Sequence, residues 1–147
     1  MRTRLKAVLT AALFFAGADA AVAASPVGQW NVTFYLEPNL TKGATQGVCY
    51  KADGTWFSTT FAGWHGGWFQ KGDRFRWYGI TSVPALGTAQ FGQMSSGKHA
   101  TGEAAHFDPG TGATVTNSNW VASKAGSICG PPASGTAARS GRDPAKP

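Results

Sequence analysis

The chain has 147 residues, 13 basic against 7 acidic side chains for a formal net charge of +6, 20 glycines and 6 tryptophans. That length suits one modest domain, and no stretch approaches the roughly 20 consecutive apolar residues of a membrane-spanning helix. The positive charge gathers at the two ends of the chain instead of on one element, which excludes a nucleic-acid-binding face.

The first residues read as an export signal. Arg2, Arg4 and Lys6 precede an apolar run over 7–18, and small residues at 20–24 offer a cleavage site. A signal peptide over 1–24 is expected, with the mature chain starting at Ala24 or Ser25 in a periplasmic or extracellular space. Its removal lowers the balance to +4, 10 basic against 6 acidic. Arg139, Arg142 and Lys146 against Asp143 place two more of those charges near the C-terminus. Only Lys71, Arg74 and Arg76 come close to a cluster, and Asp73 interrupts it.

From Val27 to Leu36, Trp30, Val32, Phe34 and Leu36 alternate with Gln29, Asn31 and Thr33, the period of a strand with one buried face. Thr45 to Ala52 follows, with Val48, Tyr50 and Ala52 on one face. Asp53-Gly54 then signals a hairpin, since a tight turn needs the positive φ that these residues tolerate. Thr55 to Phe61 is a third strand whose face is open, because Trp56 competes with Phe57 and Phe61. A turn over 62–66 leads to a short strand at 67–70 carrying Trp68, and Lys71-Gly72-Asp73 turns the chain again. Arg74 to Ile80 sets Phe75 and Trp77 against Arg74, Arg76 and Tyr78. Residues 82–87, with Pro84, read as a loop. Strands over 88–94, 99–108 and 113–124 complete the series.

The pattern predicts an all-β domain over 25–130 with about eight strands joined by short turns. Parallel neighbours would need crossovers of a dozen residues or more, so the strands form an antiparallel up-and-down meander. Eight strands is the number at which a meander can close into a small barrel around side chains or one ligand; a two-sheet sandwich is the alternative. The last strand favours closure. Trp120, Ala122 and Lys124 share a face, and in a closed meander Lys124 can lay its stem over the Trp30 indole. Such a contact contributes about 0.5–2 kcal/mol.

Gly28-Gln29-Trp30 on the first strand and Trp120-Val-Ala-Ser-Lys124 on the last resemble the calycin superfamily of lipocalins, avidins and related small bacterial barrels. In that superfamily a first-strand Gly-x-Trp packs against a cationic residue of the final strand. Arg usually holds that position, and this chain has Lys. The resemblance implies barrel closure by Gly28, Trp30 and Lys124 and a capacity to bind small molecules.

Cys49 and Cys129 are the only cysteines, and an exported chain meets oxidant, so a single disulfide is expected. Cys49 lies on the face opposite Val48 and Tyr50, which places the bridge outside the barrel. Residues 131–147 hold no large apolar side chain and read as a disordered basic tail.

No catalytic, metal or cofactor site is expected. His65, His99 and His106 form no recognisable ligand set, Glu103 and Asp108 no acid–base pair, and no serine stands in a Gly-x-Ser-x-Gly setting. The leading functional expectation is a non-enzymatic barrel that binds a small, partly apolar molecule through Trp68, Trp77, Trp120 and Tyr50. Gln90 and Asn117 are further polar candidates, and Trp64, in a loop, is a candidate rim contact. The alternatives are a protein-binding or inhibitor module and a packed structural or surface-antigen barrel. Neither nucleic acid nor membrane insertion is expected, and the sequence fixes no oligomeric state.

Overall fold

The computed structural model describes residues 24–82 and 85–134. Eight strands follow in chain order: β1 (Gly28–Leu36), β2 (Thr41–Tyr50), β3 (Thr55–Ser58), β4 (His65–Lys71), β5 (Arg74–Ser82), β6 (Ala85–Ser96), β7 (His99–Phe107) and β8 (Thr114–Gly126). Each pairs antiparallel with the next, and β8 pairs back onto β1, so the meander closes into a barrel. Closure gives both edges a partner, which removes the template that an open sheet would offer to another chain. The expected export signal lies, apart from Ala24, outside the described residues, and the expected tail is described only as far as Ser134.

Several boundaries differ from the sequence reading, each for a local reason. β2 begins at Thr41 instead of Thr45, because Lys42 and Thr41 pair with Tyr35 and Leu36 beyond a register shift in β1. It ends at Tyr50, so Ala52 enters the hairpin and is exposed instead of continuing the inward face. β3 stops at Ser58, whose hydroxyl accepts the amides of Thr60 and Phe61 and turns the chain out of the ladder. Trp56 takes its inward face, Phe57 is half-buried, and Phe61 reaches the core from the following loop. The loop expected over 82–87 is mostly strand: Ser82 pairs with Ala85, Thr81 with Leu86 and Ile80 with Gly87.

Alternation then sorts the side chains. On β5, Phe75, Trp77 and Thr81 are buried while Arg74, Arg76 and Tyr78 are exposed. The core gathers Trp30, Val32, Phe34, Val48, Tyr50, Trp56, Trp77 and Trp120 with smaller residues of β7 and β8. Such a density of indoles is possible because parts of the wall carry no side chain. A Cβ on Gly92 or Gly102 would stand 2.4 or 2.5 Å from the Trp120 ring, so that indole packs directly against the backbone of β6 and β7.

After β8 the chain runs along the outside of the barrel. Cys129 is bonded to Cys49 of β2, with Cα atoms 5.5 Å apart, within the range a disulfide needs. The Gly130 amide donates to Gln29 Oε1 and the Ala133 amide to the Ser58 carbonyl. Residues 127–134 therefore cross from β8 over β1 and β2 to β3, the shortest strand.

Candidate functional site

The two ends of the barrel are built differently. At the end where β1 begins, residues 24–27 lie across the opening: Ala24 packs on the core, and its carbonyl accepts from Gln70 Nε2 of β4 at 2.7 Å. The Trp30 indole beneath is buried and donates to the Pro26 carbonyl at 2.6 Å. Lys124 pairs opposite Trp30, holds its ammonium 5.8 Å from the ring centroid and donates to the Ser25 carbonyl at 3.4 Å. Gly28 makes this approach possible, for its φ is +123° and a Cβ there would stand 2.5 Å from the Gly126 carbonyl oxygen. Gly28, Trp30 and Lys124 thus meet where β1 pairs with β8.

This end is also solid. Tyr50, Phe75, Met94 and Trp120 help to line a void of only about 10 Å³, no more than one water needs. Tyr50 makes edge-on contacts with Phe75 at 5.0 Å and Trp77 at 5.5 Å between ring centroids. Burial raises its hydroxyl pKa well above the ordinary value for a phenol.

Towards the other end the inward positions turn polar. Gln46, Thr88, Gln90, His106 and Ser118 are each at most 3% exposed, and Thr81 and Ser58 are buried with them. Gln90 Nε2 donates to Thr88 Oγ1 at 3.2 Å. His106 stacks edge-on against Phe34 at 5.8 Å and Trp64 at 6.5 Å. Among the described residues no Asp, Glu, Lys or Arg is buried.

Four buried atoms here have no hydrogen-bond partner among the described residues: Gln46 Nε2, Trp77 Nε1, Gln90 Oε1 and Ser118 Oγ. The Trp77 N–H differs from its neighbours, because Trp30 donates to Pro26, Trp56 to the Tyr78 carbonyl at 2.8 Å and Trp120 to the Glu103 carbonyl at 3.1 Å. The register relates the four. Trp77 pairs with Gln90, Gln90 with Ala104 and Ala104 with Ser118. Gln46 projects from β2, four strands round the ring of eight from β6, hence from the opposite wall.

Of the aromatic side chains expected as ligand walls, Trp77 and Trp120 are buried with centroids 6.3 Å apart, and Tyr50 and Trp120 both line the small void of the solid end. Trp68 is only partly buried, and its N–H donates to the Lys51 carbonyl at 2.9 Å, so it stands at the rim of that end. Trp64 is buried instead of forming an exposed rim. Gln90 faces inward as a polar candidate should, whereas Asn117, next to inward Ser118, takes the other face. The sequence reading missed Gln46, Thr88, His106 and Ser118. The signal was available in parity: Gln46 precedes Val48 and Tyr50 by two and four residues, and Ser118 precedes Trp120 by two.

Outside, Phe69, Tyr78, Ile80 and Phe91 are about half exposed on β4, β5 and β6, with the Arg76 guanidinium over both phenyl rings at 5.7 and 5.2 Å. Among the described residues no group of three or more His, Cys, Asp and Glu could hold a metal ion, and no helix is long and apolar enough to cross a membrane. The closed eight-stranded antiparallel barrel is consistent with a calycin-like fold. No protein-family model, curated protein or solved structure matches the chain.

Proposed function

We propose that this protein is an exported, non-enzymatic binding barrel that holds a small, partly apolar molecule in its polar-lined half. The observation that carries this reading is the set of four unpartnered polar atoms among buried aromatic rings. A buried donor or acceptor without a partner costs about 1–3 kcal/mol, and a barrel that satisfies three neighbouring indole N–H groups has the means to satisfy a fourth. Leaving these atoms open makes sense when a ligand completes them. The aromatic walls then supply apolar contact, and the polar atoms set its orientation. The disulfide and the covered Trp30 end give this site a rigid frame suited to an oxidising compartment.

The solid Trp30 end favours a second reading, a packed structural barrel whose polar interior is filled by water. Screening a metabolite library by tryptophan fluorescence and thermal shift separates the two. Binding predicts compounds that raise Tm and perturb the emission, because Trp77 lies at the site. If every compound leaves both signals unchanged, the structural reading replaces this one.

A further inference from the structure

We infer that the outer face of β4, β5 and β6 docks the barrel peripherally on an anionic lipid membrane. This surface lies outside the barrel and owes nothing to the interior site proposed above. Strand pairing sets its residues in rows. Lys71, Arg74 and Gln93 form the first, Phe69, Arg76 and Phe91 the second, and Gly67, Tyr78 and Ala89 the third, with Ile80 beyond them between His65 and Gly87. Two residues along a strand advance about 7 Å, so the face runs from cations near the β4–β5 turn to Ile80 about 20 Å away. Phe69, Tyr78, Ile80 and Phe91 are each half exposed or more. The other exposed large apolar side chains, Leu40, Val115, Val121 and Ile128, are spread over the β1–β2 turn, β8 and the segment after it.

Charge and apolarity together choose the occupant. Lys71, Arg74 and Arg76 are exposed, and among the described residues the one ion pair, Lys51 with Asp53, leaves them without a carboxylate partner. Two acids border the face: Asp73, whose carboxylate accepts from Gln93, and Glu103, beside Phe91 on β7. A second copy laid on the same face would set like charges against one another. A soluble polyanion would leave four large apolar side chains in water, and an extended peptide finds no free strand edge on a closed barrel. The boundary between lipid headgroups and acyl chains suits both halves of the face, since phosphates take the cations and the acyl boundary takes the rings and Ile80. Arg76 lies over the Phe69 and Phe91 rings at 5.7 and 5.2 Å, so its guanidinium sits among the apolar groups, where one phosphate can accept two of its N–H bonds.

The test is flotation of the purified protein with vesicles of phosphatidylcholine alone or mixed with phosphatidylglycerol. The mixed vesicles should bind at least about tenfold more tightly, and binding should weaken as salt rises from about 0.05 to 0.5 M. Arg74→Glu with Arg76→Glu should reduce it at least about tenfold, and Phe69→Ser with Phe91→Ser severalfold, each without lowering Tm because all four side chains are exposed. Val115→Ser with Val121→Ser, comparably exposed on β8, should leave binding unchanged. No flotation, or equal binding to both vesicles, overturns the inference. Binding that survives both pairs of changes on β4–β6 would belong to the basic residues near the chain ends and overturns it too. Equal affinity for soluble polyglutamate, untouched by the Phe→Ser pair, would replace the membrane by an acidic peptide. Reversible dimerisation abolished by that same pair would replace it by a second copy of the chain.

Discussion

The Trp30 end and the Gln90 half of the same barrel follow opposite rules. At the first, polar groups are matched: the Trp30 N–H meets the Pro26 carbonyl, Ala24 accepts from Gln70, and Lys124 reaches both the indole face and Ser25. At the second, four buried polar atoms have no partner among the described residues. A fold this small has little stability to spare, so local violations of polar satisfaction are informative about function where the rest of the chain obeys the rule. The difference teaches that one end is built for stability, and that the proposed binding falls to the other. Substitutions should therefore separate into those that unfold the barrel and those that silence it.

The sharpest way to break this division is Trp30→Ala. Loss of a fully buried indole should cost about 3–5 kcal/mol, read as a lowered midpoint in urea, and a loss under about 1 kcal/mol would remove the Trp30 end as the stability centre. Next comes the cross-link. Replacing Cys49 and Cys129 by serine should cost about 2–4 kcal/mol by the same measurement. Lys124→Glu sets an anion against the negative face of the Trp30 ring and should cost about 1–2 kcal/mol, with Lys124→Arg close to neutral.

Tyr50 supplies a pH-dependent version. Its folded-state pKa is raised above the ordinary phenol value by burial, so the unfolded chain releases this proton first as pH rises. The stability it contributes is present in full below about pH 10 and declines above it. Tyr50→Phe should flatten the alkaline decline in Tm relative to the parent protein. The smallest effect should come from the other half. Gln90→Met replaces an unpartnered amide by an apolar chain and should leave urea stability unchanged or slightly raised, and a loss of 2 kcal/mol would show that Gln90 is structural.

Much of the fold was legible from strand alternation. Trp30, Val32 and Phe34 announced the inward face of β1, Phe75 and Trp77 that of β5, and the Trp120–Lys124 parity announced the seam with β1. The disulfide followed from there being two cysteines. Strand ends were harder to read. The first residues of β2, Thr41-Lys42-Gly43-Ala44, carry no large apolar side chain, yet they pair in the ladder with β1. Pro84 suggested a loop that swallowed Leu86 and Gly87, although both pair in the sheet. The candidate site was the least legible. Gln46, Thr88, Gln90 and Ser118 look like surface residues by composition, and only their position in register with buried indoles reveals that they face inward. Trp68 misled for the converse reason: it pairs with buried Trp77 but stands where the barrel ends.

The bond between Cys49 and Cys129 makes a hoop of the chain from the end of β2 through β8. A protease that cuts once anywhere inside the hoop, at the Gly72-Asp73 turn or between Pro109 and Gly112, opens a ring without releasing a fragment. The two pieces remain one molecule, held by the bridge and by the ladders on either side of the cut. On a denaturing gel such nicked protein should run as a single band until a reductant is added, then as two. A barrel wired in this way can be clipped in its turns and persist.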